Sequence, residues 1–256
     1  MVRLWYTISE LWLAILLNII NKERVMKKRI FLTMVLLGGL IMIGLAGCGE
    51  NKNSREWIEN KVSEVSRVYP TEDLFDLFKQ FPEGFKVNQV YIKRGTYIIE
   101  ITLQGDSSNQ TISGVLTKTR ASEDITEKPE ETIKVDYING EFIFSDEKKA
   151  KELWPFDGFL FQKLTLNKKV LSKLKAISKS YSWETGDGEI EYGIKNKDIN
   201  KFLHLDKDEE VTMSVTADSG LLSDGEFFLP IMFYQNQLKS WHAEGIIGSL
   251  EEKNND

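Results

Sequence analysis

TIKVDYINGEFIF, residues 132–144, reads as a β-hairpin. Ile133, Val135 and Tyr137 alternate with polar residues, and Phe142 and Phe144 resume the alternation after Asn139-Gly140. Asn-Gly accepts positive φ at both central turn positions, which a two-residue type I′ turn demands. A period of two puts one face of each strand on a core and the other in water, the pattern of an antiparallel sheet. Upstream, Val87–Ile92, Tyr97–Leu103 and Thr111–Thr117 alternate in the same way. Lys93-Arg94-Gly95 and residues 105–109 supply the turns between them. The charged run 120–131, which contains Pro129, is expected to be a mobile loop. Downstream, Tyr181–Trp183 and Glu189–Ile194 flank Gly186-Asp187-Gly188 as a second hairpin, and Val211–Val215, Phe227–Tyr234 and Trp241–Ile247 are strand-like.

Between these strands the period changes to that of helices. Arg55–Val68 carries Ile58, Val62, Val65 and Tyr69 on one stripe, with Ser54 as N-cap and Pro70 as the stop. Thr71 is expected to cap a helix with Leu74, Leu77, Phe78 and Phe81 inward. Ser145 is expected to cap a helix running to Pro155. Asn167 opens another, with Val170, Leu171, Leu174 and Ile177 inward, and Ile199, Phe202 and Leu203 suggest a short one. Strands interrupted by separate helices predict an α+β fold, a largely antiparallel sheet with helices packed against it.

The amino terminus is an address rather than part of that fold. Lys27, Lys28 and Arg29 precede an apolar run, Ile30–Gly47, which ends Leu45-Ala46-Gly47-Cys48. A basic cluster, an apolar core and small residues before a cleavage point make a secretory signal. Cys48 is the chain's single cysteine. A thiol readily forms the thioether to diacylglycerol, and two acyl chains anchor stably where one binds only reversibly. The expected organisation is a signal peptide at 26–47, the lipidated cysteine and a polar tether at 48–54, one α+β domain at 55–250 and a frayed tail at 251–256. Residues 1–25 are expected to be an upstream extension of an over-long gene reading. Met26 opens a complete signal peptide, and Lys22-Glu23 can be encoded by a purine-rich AAG-GAG. Met1 and Met26 both stand as starts.

Charge is unevenly spread. Of the 33 basic and 39 acidic residues, six and two precede Cys48, leaving 27 and 37 in the body. An acidic body is a poor nucleic-acid partner, because phosphates must be neutralised by clustered Lys and Arg. The lone cysteine excludes an internal disulfide and a multi-cysteine metal site. His204 and His242 lie in no metal-ligand spacing, and Asp206, Asp208 and Glu210 lack the Gly and Glu that a calcium loop requires. No nucleophile elbow or phosphate loop is present, so no catalytic residue and no cofactor is expected. Trp154, Phe156, Phe159 and Phe161 form one unusual cluster around Pro155 and Gly158. These rings pack a core or form a surface for a ligand or partner; core packing is the weightier reading.

The chain resembles the staphylococcal tandem lipoproteins, the conserved staphylococcal antigen family. The likeness begins at Leu45-Ala46-Gly47-Cys48 and continues through Val68-Tyr69-Pro70 with Asp73-Leu74-Phe75-Asp76-Leu77, like the family's YP…LEDLYD segment. Lys93–Tyr97, Ser113–Leu116, Thr117–Arg120, Phe156–Phe159 and Glu191-Tyr192 with Asn196–Asn200 parallel further short motifs. Beyond residue 205 the pattern departs, with no counterpart to the family's Gly-Ser-Ser-Val-Gly-Tyr stretch near Leu221–Phe228. The resemblance implies an immunogenic α+β lipoprotein on the outer face of a Gram-positive membrane, with no catalytic residue to carry over. The sequence therefore points to a non-enzymatic surface lipoprotein. Its partners would be the membrane, through diacylglycerol on Cys48, and a host or envelope protein. A lipid-anchored module for a small ligand and an envelope hydrolase stand as alternatives.

Overall fold

In the computed structural model the described residues are 51–93, 96–121, 128–217, 226–228, 230–235 and 240–249. Eleven strands form one sheet: β1 (Phe85–Lys93), β2 (Tyr97–Asp106), β3 (Thr111–Arg120), β4 (Glu131–Ile138), β5 (Glu141–Phe144), β6 (Lys175–Tyr181), β7 (Gly188–Ile194), β8 (Val211–Ala217), β9 (Glu226–Phe228), β10 (Ile231–Gln235) and β11 (Ser240–Ser249). Their order is β5-β4-β3-β2-β1-β11-β10-β8-β7-β6, with β9 pairing β11 beyond the end of β10. Every pairing is antiparallel. The expected α+β class with a largely antiparallel sheet is what the chain adopts.

Two meanders, β1–β5 and β6–β11, meet where the first strand pairs the last. The register Val87↔Ile246, Gln89↔Glu244 and Tyr91↔His242 fixes that seam. Because side chains alternate, Val87, Gln89, Tyr91, His242, Glu244 and Ile246 share one face. The same face carries Ile101, Leu103, Leu116, Val135, Tyr192, Met213, Val215 and Phe233, all buried. The β4–β5 hairpin turns as its sequence demands, with φ of 52° at Asn139 and 84° at Gly140.

Two segments cover this face. The first holds helix α1 (Arg55–Val62), a 3-10 run at Ser63–Arg67, a 3-10 turn at Leu74–Asp76 and helix α2 (Leu77–Gln80). Ser54 caps α1 as expected, accepting from the Trp57 amide at 3.1 Å. The second cap is Asp73 rather than Thr71, whose hydroxyl instead donates to the Val68 carbonyl. Asp73 wins because its carboxylate accepts from the Phe75 amide at the start of the turn. Leu74, Leu77 and Phe81 are fully buried, and Phe78 is partly buried against them.

The second segment, residues 145–174, connects opposite edges of the sheet, since β5 and β6 are its two outermost strands. It contains helix α3 (Glu147–Leu153), a 3-10 turn at Leu160–Gln162 and the single-turn helix α4 (Lys168–Leu171). Asp146 caps α3 in place of Ser145, whose Oγ accepts from the Lys134 amide across the hairpin. Asn167 caps α4 as expected. The long helix expected after it does not form. Residues 175–181 pair with β7 instead, and Ile177 lies 53% exposed beside a bulge. Helix periodicity there was accidental: a run short enough for one strand satisfied both templates. The short helix expected near Ile199 is α5 (Lys197–Phe202), with Asn196 as its cap. The 227–234 stretch divides into β9 and β10 around Pro230, which has no amide hydrogen to give a ladder. The charged run narrows to the residues between β3 and β4; 122–127, the Arg94-Gly95 turn and the tail from 250 lie outside the described residues.

Gly114 tests the packing of β3 on β2. A Cβ there would collide with the Thr102 carbonyl oxygen, a backbone atom that cannot swing away. We expect Gly114→Ala to lower unfolding stability by about 3 kcal/mol or to prevent folding. Gly140→Ala, with positive φ but open space, should cost about 1 kcal/mol. Urea denaturation followed by circular dichroism compares the two.

Candidate functional site

The aromatic segment 154–161 follows α3 and is held in place by polar contacts at its far end. Gly158 turns the chain at φ 84°. The Gln162 side chain occupies the space a Cβ would need there, accepting from the Phe159 amide at 2.8 Å and donating to the Glu72 carbonyl at 2.9 Å. Next, the amides of Leu160 and Phe161 donate to the two carboxylate oxygens of Glu244 on β11, the latter at 3.1 Å. The Tyr69 hydroxyl donates to the same carboxylate at 3.0 Å. His242 Nε2 lies 3.5 Å from Glu244 Oε1 and 3.1 Å from Gln89 Nε2. All four side chains are buried. Gln89 Oε1 and His242 Nδ1 have no hydrogen-bond partner among the described residues. A buried carboxylate is tolerated because charge-assisted donors replace its water shell. Burial and the adjoining Glu244 charge hold the Tyr69 hydroxyl well above the ordinary tyrosine pKa of 10.0.

This anchorage sets one wall of a cleft. The wall is formed by Pro155, Phe156, Asp157, Leu160, Lys163 and Leu164. The facing wall is α5 and the turn after it, with Asp198, Ile199, Lys201, Phe202 and His204. Phe156 and Phe202 stack at 5.1 Å between centroids and 22° between planes, and form the floor. Both rings rest on His242, with centroids 5.0 and 5.5 Å away. Helix α5 is fixed by Asn200, whose amide donates to the carbonyls of Asp206, Lys207 and Glu209. His204, at φ 56°, places Nε2 3.1 Å from the Pro155 carbonyl oxygen and so spans the two walls. Lys163 pairs with Asp157 at 2.9 Å on the rim and lies 5.7 Å from the Phe202 ring centroid. The cleft is open to solvent on one side and has a volume of about 350 Å³.

The floor is aromatic and aliphatic, and both signs of charge stand on the rim. Such a lining suits a small molecule with an apolar body and polar ends. Among the described lining residues none is Ser, Thr or Cys.

The four rings singled out in the sequence are all buried, and only Phe156 borders the cleft. Phe159 and Phe161 stack on each other at 5.1 Å inside the core, and Trp154 packs edge-on against Phe156 at 5.0 Å. The partners that complete the cleft, Phe202, Leu160, Lys163 and His204, were not marked as site residues. The carboxylate that orders them was missed too, although it left a trace in the sequence. His242 and Glu244 occupy inward positions of a strand whose next inward residue is Ile246, and polar residues on a core face require partners. A histidine beside a carboxylate is the kind of pair a hydrolase could use. Here both residues are 2% exposed, and the carboxylate is occupied by three donors. Cys48 and the lipobox residues Leu45, Ala46 and Gly47 lie outside the described residues. Among the described residues no helix is long and apolar enough to cross a membrane.

No family model and no curated protein sequence matches the chain. Among solved structures it is similar to the lipoprotein LppX of Mycobacterium tuberculosis, at 12% identity and a TM-score of 0.33, over 79% of this chain and 99% of that one. It is also similar to LprF from Mycobacterium bovis, at 7% identity and a TM-score of 0.35, over 75% and 93% of the two chains. Neither superposition is close enough to transfer a ligand or a role.

Removing the central acceptor should be costly. Glu244→Ala leaves three buried donors unpaired, and each orphaned group costs about 1–3 kcal/mol. We expect a loss of at least about 3 kcal/mol in urea unfolding, and a smaller loss for Glu244→Gln, which retains one oxygen. Alkaline pH should act on this contact and on the one between Tyr192 and Glu59. Tyr69 and Tyr192 both have pKa values raised above 10.0 by burial and a neighbouring glutamate. In the unfolded chain they ionise first, so their contribution is complete below pH 10 and is lost as pH rises beyond it. Tyrosinate absorbance should therefore show these two residues titrating together with unfolding.

Proposed function

We propose that this chain is a non-enzymatic bacterial lipoprotein, anchored to the outer face of a cell membrane by diacylglycerol on Cys48. Its folded domain is a binding module whose site is the Phe156–Phe202 cleft. The observation that carries the binding reading is that cleft: about 350 Å³, floored by stacked rings, rimmed by charge and held open by buried polar contacts. The anchoring half rests on the basic cluster, the apolar run and Leu45-Ala46-Gly47-Cys48. The resemblance to the staphylococcal tandem lipoproteins accords with the anchoring half. The occupant comes from the envelope or the host, as a free small molecule or as a side chain displayed by a protein there.

Two measurements test this. The intact mass of the native product should correspond to a chain beginning at Cys48 with added diacylglycerol, and Cys48→Ala should leave the signal segment uncleaved. A normal mature product without added lipid mass overturns the anchor. For the cleft, 1-anilinonaphthalene-8-sulfonate is a suitable probe, with an apolar ring system and one anionic group. Leu164→Trp fills the space from a half-buried position. It should weaken probe binding about tenfold while leaving the thermal midpoint near that of the parent. Unchanged binding would remove the cleft from consideration.

A further inference from the structure

A second surface lies where the domain meets its tether. Trp183, in the loop between β6 and β7, is 75% exposed. Its ring packs edge-on against Tyr181 at 4.9 Å, and Tyr181 packs edge-on against Trp57 at 5.1 Å. Three aromatic rings thus run outward from the first turn of α1 to solvent. Cations accompany them. Lys52 Nζ lies 5.8 Å from the Tyr181 ring centroid and Lys61 Nζ 5.6 Å from that of Trp57. The Lys179 ammonium donates to the Asn53 carbonyl. In a body with 37 acidic and 27 basic residues, lysines collected around a half-buried to exposed aromatic run are against the general balance.

Position gives this surface its partner. Lys52 is four residues from Cys48. A fully extended chain spans at most about 3.6 Å per residue, so the backbone of Lys52 stays within about 14 Å of the backbone of Cys48. The ring-and-lysine surface is therefore the part of the domain kept nearest the bilayer. Trp and Tyr favour the headgroup layer, where an apolar ring and a polar edge are both satisfied. Lysines near an anionic leaflet add electrostatic attraction that fades within a Debye length.

We propose that Trp57, Tyr181 and Trp183, with Lys52, Lys61 and Lys179, form a docking surface for an anionic phospholipid bilayer, which fixes the domain's orientation on the membrane. The proposal rests on the anchored reading of Cys48.

The test uses the full-length lipoprotein purified from its membrane and reconstituted into vesicles. Acylated Cys48 carries no free thiol, so Trp183→Cys introduces a single labelling site for the fluorophore NBD. Ile138→Cys, 51% exposed at the end of β4, next to the opposite edge strand, is the control. In vesicles containing phosphatidylglycerol, headgroup nitroxide lipids should quench the label at 183 about threefold more than at 138. The difference should shrink in pure phosphatidylcholine, and with K52E, K61E and K179E combined. Equal quenching at the two positions, or none at 183, overturns the proposal. Intact mass of the same preparation reads the lipid on Cys48 independently. If that lipid is missing, weaker sedimentation with phosphatidylglycerol vesicles on combining K52E, K61E and K179E still supports the surface, and unchanged sedimentation overturns it, so the two readings fail separately.

Discussion

One carboxylate organises the centre of this domain. Glu244 sits on the last strand, beside the first, and reaches out of the sheet to the amides of Leu160 and Phe161 and the hydroxyl of Tyr69. The segment 145–174 has to cross the whole face from one edge of the sheet to the other, and its helices are one or two turns long. Hydrophobic contact alone is non-directional and would let such a segment slide. Hydrogen bonds to a fixed charge specify which residues stand over which strand. The stacking of Phe156 on Phe202, and with it the cleft, follows from that registration.

The same device recurs elsewhere on the β6–β11 meander. Glu59 of α1 accepts from the Tyr192 hydroxyl of β7 at 3.1 Å, and Arg55 bonds Glu59 at 2.8 Å while reaching the carbonyls of Ser172 and Leu174. The β6–β11 half of the sheet is thus joined to its covering layer by two buried tyrosine–glutamate contacts. In one the carboxylate comes from the sheet, in the other from the helix. Pairs of this kind add little net stability over a well-packed apolar substitute, but a partner left unpaired is expensive. Their effect is to exclude alternative placements of the covering layer.

What could be read in the sequence was what is local. Asn139-Gly140, the alternation around it, and the caps Ser54 and Asn167 all specify structure through neighbours a few residues away. The Asp73 and Asp146 caps were displaced by one or two residues from Thr71 and Ser145 because hydroxyl and carboxylate candidates stood close together, and backbone geometry chose between them. The strand at 175–181 was misread because Leu174 and Ile177 fit a helical stripe, whereas pairing with β7 is a non-local gain. The site was legible only in part for the same reason. Phe156 was visible as an aromatic in an odd cluster, but Phe202 and His204 lie some fifty residues on and meet it only through tertiary packing.

The seam between β1 and β11 joins residues about 150 positions apart in the chain, at the middle of the sheet rather than at its rim. Closing it has the entropy of a very long loop to overcome. Neither meander can cover its inner edge until the final strand has emerged from the ribosome. A nascent chain whose central seam closes only with β11 keeps both meanders unjoined for most of its synthesis.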